Sequence, residues 1–174
     1  EALTNAEVRS FCAFLLSAGI ETTDRALVNL CRELIKSPDQ WRLLKDEPRL
    51  VGAAVAEILR LRPPVQASIR QAAVDTELGG REIRRGQKVM VLLGSANHDE
   101  TVFEAPAEFD VTRFADNSVA QFTPAGQNRG FGGGSHNCTG SLLAKVEMEE
   151  APEDSKDTSD SRRPRKPRVG GDEG

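Results

Sequence analysis

Gly130-Phe131-Gly132-Gly133-Gly134-Ser135-His136-Asn137-Cys138-Thr139-Gly140 is the stretch around which the rest of this chain makes sense. Four of its first five residues are glycine, so the backbone is free to lie close against a partner surface. Cys138 follows, and Ser141-Leu142-Leu143-Ala144-Lys145-Val146-Glu147 then reads as the start of a helix. A thiol just ahead of a helix faces unpaired backbone N–H groups and the positive end of the helix dipole, surroundings that suit an anionic sulfur. The stretch fits no common phosphate cradle. It has no Gly-Lys-Ser/Thr, and Ser135 stands where a dinucleotide fingerprint needs its third glycine. His136-Asn137 breaks a serine-hydrolase elbow, and His136 with Cys138 alone is too small a ligand set for zinc. What remains is one sulfur on an open loop. That suits axial ligation of a large flat cofactor, where a thiolate donates electron density to heme iron. The plainer alternative is a glycine-rich surface loop with an incidental buried cysteine.

The pattern Phe131-x-x-Gly134-x-x-x-Cys138-x-Gly140 resembles the heme-binding signature of the cytochrome P450 family, the heme-thiolate monooxygenases, in its soluble bacterial form. Two further stretches match in the same order. Ala18-Gly19-Ile20-Glu21-Thr22-Thr23 is similar to that family's oxygen-binding groove. The resemblance makes Glu21 and Thr22 the acid–alcohol pair that relays protons, with Ala18 and Gly19 lining the groove. Glu57-x-x-Arg60 looks like the second signature, a buried structural pair, and Arg113 looks like its third member. The resemblance also implies that Cys138 ligates the iron of heme b, that Arg70 and His136 hold heme propionates, and that Phe131, Gly132 and Gly140 border the cofactor. Without it, the glycine–acid–threonine stretch is an exposed polar patch on a surface helix. Glu57 and Arg60 are then a routine surface ion pair.

Composition bounds the reading. A chain of 174 residues argues for one domain. A net charge of −4 and an aromatic content of 5% argue against nucleic acid as partner. Three cysteines form no disulfide framework. Cys12 and Cys31 fall in a helical apolar pattern and read as core, which fits a reducing, cytoplasmic setting. No apolar run is long enough to span a bilayer and no signal peptide is visible. The chain begins at Glu1 rather than Met, so an upstream anchor stays open.

In chain order, Thr4-Asn5-Ala6-Glu7 reads as a capping box opening a helix to about Lys36. Gly19 and the β-branched Thr22 and Thr23 near its middle suggest a locally loosened segment. Ser37-Pro38-Asp39-Gln40 reads as a second capped start, with Gln40 closing the box. Asp46-Glu47-Pro48 opens a third helix ending at Arg62 before Pro63-Pro64. Residues 67–72 read as a strand, Gly79-Gly80 as a hairpin turn, and Lys88–Leu93 as a buried strand. Asn97-His98-Asp99 invites a metal or acid–base reading, but the family commonly carries a polar triplet there without catalytic duty, and His98 is left out of the site.

The expected fold is mainly α with a small β portion. Residues 1–150 are expected to be the C-terminal part of a heme-thiolate monooxygenase domain, and 151–174 a disordered polar tail with too few apolar residues to order itself. The helix after Cys138 is expected to break near Ala151-Pro152. The tail reads as a truncation, a frameshift product or a junction. By resemblance the function is heme-dependent monooxygenation of a small hydrophobic organic substrate. It uses dioxygen and two electrons from a ferredoxin or flavin reductase. The alternative is a non-catalytic fragment, either heme-binding or a partner-interaction module.

Overall fold

The computed structural model describes residues 2–157. The opening helix α1, Asn5–Lys36, starts where Thr4 and Glu7 satisfy each other's backbone donors. The Glu7 amide donates to Thr4 Oγ1 at 3.3 Å and the Thr4 amide to Glu7 Oε2 at 2.8 Å. Ser37 ends it, and α2, Pro38–Asp46, follows with proline in its first turn, where the missing N–H costs nothing. A 3-10 turn, Pro48–Leu50, then feeds α3, Val51–Leu61.

The core is organised on α3, whose residues Ala53 to Leu61 are all buried. Ala53, Ala54 and Ala56 keep its surface low, so neighbouring elements approach closely. The last turns of α1, which bury Ala26, Leu30 and Leu34, pack against it. So do a 3-10 segment, Ser118–Phe122, and the final helix α5, Ser141–Asp157. Phe103, Val111, Phe114, Phe122 and Met148 fill the remaining space.

The β portion is two antiparallel ladders. Strand β1, Ser68–Gln71, pairs with β4, Lys88–Val91, with Ser68 opposite Val91. Between them β2, Thr76–Leu78, and β3, Arg81–Ile83, form a hairpin. Its turn uses Gly79 and Gly80 at φ of 57° and 76°, the left-handed pair a two-residue hairpin turn requires. A short helix α4, Leu93–Ala96, leads into an irregular segment that runs to the glycine-rich loop. The architecture is mainly helical with a small β part, as expected.

Several expectations change. Cys12 and Cys31 are exposed, not core, because among the described residues nothing covers their side of α1. Helix α1 runs unbroken through Gly19, Thr22 and Thr23; a penalty of about 1 kcal/mol for one glycine does not break so long a helix. Ser37 makes no side-chain cap bond. Gln40 instead accepts from the Val111 amide at 2.8 Å and ties α2 to the irregular segment. Strand β4 ends at Val91 and is largely exposed, since its ladder has two strands and, among the described residues, no layer stacked on it. Helix α5 continues through Pro152 to Asp157. A proline removes one donor and crowds one carbonyl, which weakens a helix without always ending it. The rest of the expected disordered tail, 158–174, lies outside the described residues.

Candidate functional site

Cys138 lies three residues before α5, with an exposed side chain. Its amide donates to the Phe131 carbonyl at 2.9 Å, which closes residues 131–138 into a loop. Gly132 and Gly134 take φ of 78° and 61° inside it, a backbone that a side chain strains. His136 is exposed in the 3-10 turn Gly134–His136. The Phe131 ring stays half-buried, 5.6 Å from the Phe122 ring, and anchors the loop to the core.

Behind the loop stands the charged cluster. Glu57 and Arg60 have no exposed surface. Arg60 donates to both carboxylate oxygens at 2.8 Å, from Nε and Nη2. Its remaining donors reach the carbonyls of Asn97 at 2.9 Å, Pro106 at 2.7 Å and Glu108 at 3.1 Å. All the donors a guanidinium owns are thus used. Arg113 Nε approaches Glu57 Oε2 at 3.1 Å, and the Asp110 amide reaches Glu57 Oε1 at 3.2 Å. Glu57 therefore joins α3 to the irregular segment that carries Arg113.

The middle of α1 is open. Thr22 Oγ1 donates to the Ala18 carbonyl one turn back at 2.7 Å, while Glu21 pairs with Arg25. The two neighbouring side chains thus take separate partners. A Cβ placed on Gly19 would meet nothing. Arg70 is exposed on β1 and bonds only locally, to Ser68 Oγ at 2.7 Å and the Ile69 carbonyl at 3.3 Å. The sequence-selected residues therefore fall into two sets. Glu57, Arg60 and Arg113 are bonded together in the core. Cys138, His136, Arg70, Ala18, Gly19 and Glu21 line exposed surface with Thr22 half-buried among them, and apart from the bond of Thr22 to the Ala18 carbonyl within α1 they do not bond to one another.

Gln121 and Asn128 went unread in the sequence, and Asn97 was read only as part of a polar triplet without duty; all three are buried. They bond the backbone just ahead of the glycine-rich loop. Amides in irregular segments ordinarily read as solvated, so nothing local marked them. His98, left out of the site, bonds the Gly94 carbonyl through Nδ1 at 2.9 Å.

The residues present fit a heme. Gly19 sits in mid-helix, where glycine is unfavourable, with open space beside it. Gly134 likewise has nothing near the position of a Cβ. Neither is required by packing within the described chain, and both leave room for a flat body outside it. Among the described residues no group of three or more His, Cys, Asp or Glu side chains could hold a metal ion. Among the described residues no helix is long and apolar enough to cross a membrane.

Comparison with known proteins agrees. A family model described as Cytochrome P450 matches residues 1–151. The biotin biosynthesis cytochrome P450 of Bacillus subtilis is 38% identical over 149 residues, covering 86% of this chain and 35% of that protein. Cytochrome P450-terp of a Pseudomonas species is 37% identical over 141 residues, 81% of this chain and 31% of its own length. Among solved structures, cytochrome P450 CREJ superposes with a TM-score of 0.79 at 37% identity, over 90% of this chain and 37% of that one. CYP109E1 from Bacillus megaterium, in complex with corticosterone, gives a TM-score of 0.79 at 32% identity, over 90% and 40%. The chain spans about a third of the length of the curated relatives it matches.

Proposed function

The chain belongs to the cytochrome P450 family, and on that premise we propose that residues 2–150 are the heme-holding part of a monooxygenase acting on a small hydrophobic organic substrate with dioxygen and two electrons from a ferredoxin or flavin reductase. Members of the family bind heme b; with a thiolate ligand, that group supplies the binding and reductive activation of dioxygen. In this reading Cys138 Sγ would hold the iron. Phe131, Gly132 and Gly140 would border the cofactor, and Arg70 and His136 would hold its carboxylates. Thr22 keeps its proton on the Ala18 carbonyl, so its oxygen lone pairs face the groove as acceptors. Glu21, exposed beside Arg25, would be the acid of the pair, passing protons from bulk water toward the groove. The observation that supports the reading most is the exposed Cys138 thiol at the end of a loop whose base is bonded into the buried core.

The substrate is not carried by the shared portion. Related structures are described with corticosterone, with (4-ethylphenyl) dihydrogen phosphate, and, for P450BioI, with an acyl carrier protein ligated to hexadec-9Z-enoic acid. These are chemically unlike ligands on relatives of similar identity.

A second reading has its own observation. Phe11, Phe14, Leu16 and Ile20 on α1 are more than half exposed, whereas oxidation at a thiolate heme needs a pocket closed to bulk water. By this reading the 174-residue chain holds heme without turning over substrate. One experiment addresses both. Hemin is added to the chain, reduced and exposed to carbon monoxide, then supplied with reductase and a panel of hydrophobic substrates. The expected result is the red-shifted band typical of thiolate ligation, lost in Cys138→Ser, with no product. A band that survives the substitution removes Cys138 as ligand. Product that depends on Cys138 removes the second reading.

A further inference from the structure

Four consecutive backbone amides lead into the glycine-rich loop, and each donates to a buried side-chain amide oxygen. Gln127 and Asn128 donate to Gln121 Oε1 at 3.1 Å and 3.2 Å. Arg129 donates to Asn97 Oδ1 at 2.7 Å, and Gly130 to Asn128 Oδ1 at 2.8 Å. No ladder or helix satisfies these donors, so the three side chains replace secondary structure at this point. Asn97, Gln121 and Asn128 are 0%, 2% and 3% exposed, which makes each bond hard to exchange for water.

The three are bonded to one another and to the core. Asn97 Nδ2 donates to Asn128 Oδ1 at 3.1 Å, and Asn128 Nδ2 to the Ala56 carbonyl of α3 at 3.0 Å. The Asn97 carbonyl accepts from Arg60 Nη1 at 2.9 Å. Asn97 thus faces the charged cluster with its backbone and the loop with its side chain. Beyond it the chain is tied directly: the Gly132 amide donates to the Arg129 carbonyl and the Cys138 amide to the Phe131 carbonyl, both at 2.9 Å. Gly130 lies so close on α3 that a Cβ there would come within 2.8 Å of the Leu59 carbonyl.

We propose that Asn97, assisted by Asn128 and Gln121, is the positioning residue for the Cys138 loop, and that it transmits the fixed geometry of the Glu57–Arg60 pair to the backbone that presents the thiol. An amide is needed at this position because it must accept from Arg129 and donate to Asn128 at once. Aspartate keeps the acceptor and loses the donor; alanine loses both. The consequence for ligation rests on the heme reading, while the positioning role itself is read without heme.

The test uses the full chain and compares Asn97→Ala and Asn97→Asp with Leu44→Ala, a core variant away from the loop, at temperatures chosen for equal stability. In the heme-free protein, hydrogen exchange at the amides of Arg129, Gly130, Gly132 and Cys138 is expected to rise at least about tenfold in Asn97→Ala while the amides of α3 keep their protection. Asn97→Asp is expected to keep Arg129 protected and to release Gly130. Leu44→Ala is expected to leave all four unchanged relative to α3. After hemin loading, Asn97→Ala is expected to shift a measurable share of the carbon-monoxide adduct from the thiolate band to the shorter-wavelength band of a lost thiolate. Should Asn97→Ala not fold, Gln121→Ala against Gln121→Glu reads the same distinction at Gln127 and Asn128. Protection lost equally across α3 and the loop, or a Cys138 amide unchanged in Asn97→Ala, overturns the proposal. A wild-type chain that gives no thiolate band but shows the expected exchange pattern overturns the heme reading and leaves the positioning role standing.

Discussion

Residues 53–61 and residues 2–20 are both rich in apolar side chains and both largely helical, yet the first set is buried throughout and the second exposed throughout. On α3 even a glutamate and an arginine have no accessible surface. On the first half of α1, Phe14 is 65% and Ile20 67% exposed. Apolar content therefore does not decide burial in this chain; the presence of a partner surface does. Segment 53–61 has α1, α5 and the Ser118–Phe122 turn around it, while nothing among the described residues lies on the first half of α1. Stability is concentrated around α3, and much of the surface proposed to meet heme and oxygen lies where stability is not at stake.

The sharpest way to break this contrast is at Glu57. Glu57→Ala leaves Arg60 and Arg113 without their carboxylate in the core, and is expected to cost about 3–5 kcal/mol, a large part of a small domain's total. Urea unfolding followed by circular dichroism measures it. A loss under about 1 kcal/mol would mean that the cluster behaves like a surface pair.

Glycine-to-alanine changes at a buried site beside the α3 core and on the exposed half of α1 are expected to act with opposite sign. A Cβ on Gly126 would come 2.5 Å from the Ala120 carbonyl oxygen and 2.7 Å from Gln121 Cα. Gly126→Ala is thus expected to destabilise by about 1–3 kcal/mol. Gly19 has open space around it in mid-helix, so Gly19→Ala is expected to stabilise the heme-free chain by about 1 kcal/mol. If both variants destabilise, α1 is more tightly packed in solution than here.

On the exposed face of α1, Phe14→Gln with Ile20→Gln is expected to change stability by no more than about 0.5 kcal/mol. The effect belongs instead to self-association, which an exposed apolar face promotes. Light scattering of concentrated samples should show less aggregate than the parent chain. A large melting shift would place these side chains in a core.

The smallest expected effect lies at the border of the two regions. Burial by itself would raise the Glu33 carboxyl, but bonds from Lys36 at 3.0 Å and Arg62 at 2.8 Å outweigh it and hold the group below the usual glutamate range. A folded-state value below the unfolded one, about 4.3, means that the contribution is present above that pH and lost as pH falls through the folded value. Melting temperature is expected to decline below about pH 4.3, and Glu33→Gln to flatten that decline. An identical acid limb in the variant would remove Glu33 from the account.

Much of the frame was legible because its causes are local. The Thr4–Glu7 cap, the proline start of α2, the Gly79-Gly80 turn and the three-residue spacing of Glu57 and Arg60 each carry their physics within a few residues. What escaped was non-local. Gln40 left its expected cap for an amide at Val111. Cys12 and Cys31 fit a core pattern that has no core against it. Asn97, Gln121 and Asn128 serve backbone donors up to 32 residues away, and no periodicity announces such a bond. The Cys138 stretch was legible as a motif, while the side chains that hold it were not.

Arg60 has a bearing on time as well as on structure. Its carbonyl partners lie 37, 46 and 48 residues further along the chain, so none of these bonds forms until the intervening loops have closed. They belong to the late part of folding. A substitution such as Arg60→Lys should therefore leave the refolding rate nearly unchanged and appear in the unfolding limb of a chevron plot. The loop that carries Cys138 is tied to the same long-range contacts through Asn97, so a defined thiol comes no earlier than they do.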